Sequence, residues 1–197
     1  MARRLTTVLH DRVSCTGWPT HESENDMTVE SNHLRDLLLP ELESELKKTR
    51  RMLDALPDTD HAYQPHTKSK TLAALAGHVA ELPSFISIIL SSPDLDMAAP
   101  GSTRKPVVME TKQQLLAEFD QNADRAVTTL KDTSDETFNQ NWTLARGDIK
   151  IFSGSRYEAY RNFGANHLIH HRAQLGCYIR ALDLPLPGTY GPSADGM

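Results

Sequence analysis

The chain has 197 residues, of which 39% are apolar and 24% charged, enough side chain to fill the core of one ordinary globular domain. Its formal charge of −5, with basic residues gathered only in the short ArgArg and LysLysThrArgArg pieces, argues against a phosphate-binding surface and so against nucleic acid as a partner. No uninterrupted apolar run in the sequence approaches the roughly 18 residues that span a bilayer, so no membrane association and a cytoplasmic location are expected.

Residues 1–30, ending in "GWPTHESENDMTVE", are polar and without periodicity. They are expected to form a flexible leader to a domain over residues 31–197, and Met27 is an alternative natural start. The only cysteines, Cys15 and Cys177, make neither a disulfide framework nor a CxxC pair. A first helix is expected through "LLLPELESELKKTRRMLDALP", where Leu42, Leu46, Thr49, Leu53 and Leu56 share one stripe and Pro57 ends it. Pro40 either opens or kinks this helix.

After the turn-rich "DTDHAYQPHTKSK", a second helix covers roughly residues 70–90, with Leu75, Val79, Leu82, Ile86 and Ile89 on one face. Pro83 cannot donate to the carbonyl of Val79, so a local kink is expected there. "SSPDLDMAAPGSTRKP" reads as a long connection. A third helix opens at Thr111, with Gln114 in the position of a capping box, and buries Leu115, Leu116, Phe119, Ala123, Ala126, Val127 and Leu130. Residues 134–154 read as loop with a small β-hairpin around Arg146 and Gly147. The last helix starts at Ser155, in another Ser-x-x-Glu box, and runs to about Leu184, before the Pro- and Gly-rich "PLPGTYGPSADG". Four amphipathic helices without long strands predict an all-α four-helix bundle.

The last helix carries "NHLIHHRAQLGCYIRAL". At about 100° per residue, with His167 at zero, the apolar stripe centres near about 50°. His171 lies at about 40° and His167 at the stripe's edge, whereas His170, at about 300°, faces solvent with Asn166, Asn162 and Arg180. Two imidazoles on consecutive turns need partners if buried, and a divalent metal supplies them. The spacing is that of helical zinc sites, but Leu168 stands where a zinc protease carries its glutamate, which disfavours a protease. On the second helix His78 lies among Leu75, Leu82, Phe85 and Ile89 and is the third candidate ligand. The alternative is that these are satisfied core histidines. Tyr160, Gln174, Tyr178 and Glu81 fall near the ligands on their wheels and are candidates for the substrate side. Each also has a structural reading: tyrosines in the core with hydroxyls at its rim, a glutamine that orients a ligand, a solvated glutamate.

"TLAALAGHVAELP", "NHLIHHRAQLGCYIRALDLPLP" and "GTYGPSAD" resemble the DinB family of helical metalloproteins over about residues 31–196. The most specific match is the His-x-x-x-His-Arg-x-Gln run of His167, His171, Arg172 and Gln174. Ala173 replaces a frequent glycine, and the leader has no counterpart. The resemblance implies that His78, His167 and His171 hold one divalent metal ion, be it zinc, nickel, iron or manganese, with open positions for water or substrate. It further implies a metal-dependent transferase or hydrolase with a small-molecule substrate, activating a low-molecular-weight thiol, and a homodimer. The alternative is a non-catalytic metal-binding stress or interaction protein.

Overall fold

The computed structural model describes residues 33–99 and 106–196. The expected leader and Cys15 lie outside the described residues. What is described is mostly helical, with one small sheet.

Helix α1 spans Leu34–Asp54 and buries Leu38, Leu42, Leu46, Thr49 and Leu53. Its first amide is capped from afar, by Asp135 Oδ1, which accepts from Leu34 N at 2.8 Å. Pro40 therefore does not open the helix; it lies inside it, in the second turn. Thr71 caps α2 (Leu72–Glu81) by accepting from Ala74 N. Loop carbonyls engage the next two amides, Leu72 N donating to Tyr63 O at 2.7 Å and Ala73 N to His61 O at 3.1 Å. A break at Leu82 separates α2 from α3 (Pro83–Ser91), in line with the irregularity expected of Pro83. Side chains serve the carbonyls around it: Ser84 Oγ donates to Glu81 O and the buried Asn122 to Ala80 O.

Taken together, Leu72–Ser91 form a 20-residue rod, which among the described residues is the one helix long and apolar enough to cross a membrane. The sequence reading missed it because His78, Glu81 and Pro83 interrupt the apolar run without charging it heavily. With 78% of its most apolar stretch buried inside the fold, the rod serves as the core against which α4, α7 and the segment before α7 pack.

The long connection was expected to be irregular, yet Leu95–Asp96 form strand β1, parallel to β2 (Asn141–Arg146), which pairs antiparallel with β3 (Ile149–Ser155). The anticipated hairpin is thus the larger part of a three-stranded sheet, so the fold is not purely helical. Gly147, with φ of +57°, takes the first of two turn positions, a conformation glycine adopts without strain. Asp96 Oδ1 accepts from Gly147 N at 2.9 Å and from Ala98 N at 2.8 Å, tying β1 to the hairpin turn. Between β1 and β2 in the chain come α4 (Lys112–Lys131), capped by Thr111 as expected, and the short α5 (Asp135–Asn139), which the sequence reading left as loop. On α4, Leu115, Phe119, Ala126 and Leu130 are buried, with Asn122 among them.

The last helical stretch is not one regular helix. A full capping box between Ser155 and Glu158 opens α6 (Arg156–Ala159), a π-helical segment follows over Tyr160–Ala165, and α7 runs from Asn166 to Ala181. Helix α7 ends three residues short of the expected Leu184, because Asp183 takes a left-handed φ of 55° and Leu184 N returns to Ile179 O.

Gly77, beside His78, lets the returning chain press against α2: a Cβ there would sit 2.0 Å from the backbone oxygen of Val107. Nearby, Met109 N donates to Ala73 O at 3.1 Å, so this backbone is not free to retreat. We expect Gly77→Ala to lower unfolding stability by about 1–3 kcal/mol in urea denaturation, while Gly191→Ala, which meets nothing within 4 Å, changes it little.

Candidate metal centre

Helices α2 and α7 bring His78, His167 and His171 together, with one ring nitrogen from each lying within 4.8 Å of the others. Ring centroids are 5.3 Å apart for His78 and His167, and 4.6 Å for both His78 with His171 and His167 with His171. All three are half-buried, whereas His170 is exposed and stacks its edge only on His171, at 4.9 Å.

The hydrogen bonds set the tautomers. His171 Nδ1 lies 2.8 Å from Gln174 Oε1, an acceptor, so Nδ1 carries the proton and Nε2 a lone pair. The Phe163 backbone, in the π segment, favours the protonated form of the His167 ring and partly offsets its burial. The two rings bring Nε2 to within 2.9 Å of Nε2, hydrogen-bonding distance, so His171 Nε2 accepts there from whatever lies between the rings. A proton on His167 Nε2 completes a hydrogen bond between the rings, and a cation shared by both nitrogens can take that proton's place. For metal–nitrogen bonds of about 2.0–2.1 Å, ligand atoms around one ion lie about 3.0–3.4 Å apart, close to this spacing. The donor set therefore fits a divalent ion of the imidazole-binding kind.

The electrostatics agree with deprotonated rings. Burial, then the facing His171 and His167 and the Lys70 charge, push His78 down to about 4 from its ordinary 6.5. Burial also lowers His167 and His171.

A cavity of about 420 Å³ opens beside His171, lined by Lys68, Ser69, Lys70, Leu75, Gln174, Cys177 and Tyr178. Two of the substrate-side candidates, Gln174 and Tyr178, thus flank it. Tyr178 donates its hydroxyl to Lys70 O at 2.9 Å and meets Tyr63 edge to face. Tyr160 lies elsewhere. It is fully buried, packs edge to face on Phe138 at 6.3 Å, and does not line that cavity. The wheel misplaced it because a π segment carries an extra residue, which turns everything N-terminal to it by about 100° relative to α7. Glu81 is buried on α2. The sequence reading passed over Lys68, Lys70 and the flank position of Cys177; "KSK" just ahead of the Thr71 cap was the available signal.

Arg172, next to His171, points the other way and is 2% exposed. Its guanidinium meets Glu45 Oε2 at 2.6 Å and donates to Glu45 O, Thr49 Oγ1 and the Tyr190 hydroxyl. Tyr190 donates to Glu45 Oε2 at 2.7 Å, and Lys48 completes the carboxylate's partners at 2.7 Å. These hydrogen-bonded cations hold Glu45 below the usual carboxylate range despite its burial. The network fastens α1, α7 and the C-terminal tail at one point, immediately behind a candidate ligand.

A helical fold in which two helices converge three imidazoles on one point, beside an open cavity, defines a class of protein with a histidine centre. The chain belongs to the DinB superfamily, whose pattern matches residues 41–175. It is 27% identical over 164 residues to YrdA of Bacillus subtilis strain 168, an uncharacterized protein, covering 81% of this chain and 90% of that one. Among solved structures, a DinB-like protein from Bacillus cereus ATCC 10987 superposes with a TM-score of 0.60 at 20% identity, over 80% of this chain and 98% of its own. A second DinB-like protein, YjoA of Bacillus subtilis, gives 0.58 at 16%, over 76% and 96%. These two likenesses are of fold.

The lowered rings give a pH prediction for metal-free protein. The unfolded chain takes up protons on these histidines near pH 6.5 while folded His78 waits until about 4, so stability falls as pH drops through that window. His78→Gln should remove roughly one proton from the uptake on unfolding near pH 5, measured from the pH dependence of the unfolding free energy. Arg172→Met takes the buried guanidinium from the Glu45 carboxylate, leaving it Lys48 and Tyr190, and should cost about 3 kcal/mol; the double change Arg172→Met with Glu45→Met should recover much of it in a denaturant cycle.

Proposed function

We propose that His78, His167 and His171 hold one divalent metal ion, zinc, nickel, iron or manganese, within a four-helix bundle, and that the protein is a metal-dependent transferase or hydrolase. The observation that carries this reading is the convergence of three half-buried imidazoles, one nitrogen of each within 4.8 Å of the others and two Nε2 atoms 2.9 Å apart. Three protein nitrogens leave coordination positions open, which suits a reactive centre better than a closed structural one. A bound ion of this kind lowers the pKa of a coordinated thiol or water, so that a nucleophile is available at neutral pH.

The neighbouring side chains divide the remaining work. Gln174 fixes the tautomer and angle of His171 through its Nδ1. The cavity walled by Tyr178 and Leu75 gives a small molecule a place beside the ligands and removes water from its apolar part. The substrate side is a low-molecular-weight thiol and its electrophile. The family resemblance extends the proposal to a homodimer, readable by light scattering of purified protein.

Elemental analysis of protein prepared without chelator or affinity metal tests the site. About one metal per chain is expected in the wild type and in His170→Ala, with near-complete loss in His78→Ala and His171→Ala. Gln174→Ala should retain the metal with affinity reduced about 10–100-fold. A thiol-conjugation assay on metal-loaded protein tests turnover. Inactivity at full occupancy across several thiols and electrophiles would favour a non-catalytic metal protein instead.

A further inference from the structure

Resting on that reading, the geometry points to a substrate that carries an anionic group, held by Lys68 and Lys70 at the mouth of the cavity while the rest of the molecule reaches the three-histidine centre. The chain as a whole carries a formal charge of −5, yet the described residues lining this cavity include two lysines and no carboxylate. The imidazoles are neutral, so a divalent ion there adds two positive charges that no lining residue offsets. An anion brought in from solution satisfies both the ion and the lysines, and a neutral substrate satisfies neither.

The lysines are placed and not merely nearby. They sit on a loop tied at several points: His66 Nδ1 accepts from Lys68 N at 3.1 Å, Ser69 N donates to His66 O at 2.8 Å, and Gln64 Nε2 donates to His66 O at 3.0 Å. From the opposite wall, Tyr178 binds the Lys70 carbonyl, so the backbone that carries this ammonium is fixed to the helix that carries the ligands. Lys70 is close enough for its charge to weigh on both His78 and His171. Both ammonium groups remain exposed and free to close on a ligand. Tyr178 accordingly acts as a positioning residue for the anion site as well as a wall of the cavity.

The test uses full-length protein loaded with Co(II), whose visible spectrum reports a change at the ion. Acetate, methyl phosphate and acetamide are titrated into wild type, Lys68→Ala/Lys70→Ala and Lys68→Glu/Lys70→Glu. The expected result is saturable binding of acetate or methyl phosphate, the better of the two telling carboxylate from phosphoryl. Binding should be weaker by about tenfold in the alanine pair, two partly screened ion pairs being removed, and weaker still in the glutamate pair. Acetamide should leave the spectrum unchanged, and all variants should hold as much metal as the wild type. Equal affinity in wild type and the alanine pair, acetamide binding as well as acetate, or no anion binding to loaded wild type each overturns the inference. Should wild type hold no metal, the metal reading falls by itself; the same titrations followed by amide shifts in NMR spectra then decide whether the lysines still gather anions.

Discussion

Everything at the centre follows from a constraint on burial: an imidazole removed from water must still satisfy one donor and one acceptor. For His171 the Nδ1 side is met locally, by Gln174 three positions on. The packing of α2 against α7 then brings a third imidazole to the two Nε2 atoms that already lie 2.9 Å apart. The surrounding elements serve this arrangement. The apolar rod of α2 and α3 fixes His78, and the loop leading into α2 brings the lysines alongside.

Behind the site, the reverse face of α7 is held by charge. Arg172 occupies a position where an apolar side chain would pack well, yet it draws a carboxylate, a hydroxyl and a phenol from α1 and the tail. A buried ion pair is not a source of stability in itself, since desolvation offsets much of the attraction. What it supplies is direction: the guanidinium satisfies its donors in one rotation of α7, and that rotation is the one that turns His167 and His171 toward His78.

Much of this was legible from the order of residues. The stripe of α1, the caps at Thr111 and Ser155, the inward pair on α7 and the outward His170 all follow from the period of an α-helix and from short polar side chains at helix starts. The meeting of His78, His167 and His171 was legible for the same reason, since three histidines on apolar faces stand out against their neighbours. Two kinds of feature were not. Strand β1 has only two residues and is fixed by pairing with a partner nearly fifty positions away, which no local pattern reports. The π segment leaves no compositional trace: "YRNFGA" reads as ordinary helix, and only packing, with Gly164 pressed against Ile86, reveals the wider turn. Tyr160 was misplaced by that one irregularity, while Gln174 and Tyr178, beyond it, fell where a regular helix puts them.

The wide turn also sets a phase. Residues ahead of it belong to the hairpin's end and to Phe138; residues after it belong to the histidine cluster. Deleting a single amino acid between 160 and 165 would let the coil relax to ordinary pitch, and by doing so would swing one assembly about a quarter-turn against the other. A chain of this kind is thus more tolerant of exchanging residues in that stretch than of losing one, because its length, more than its composition, keeps sheet and centre in register.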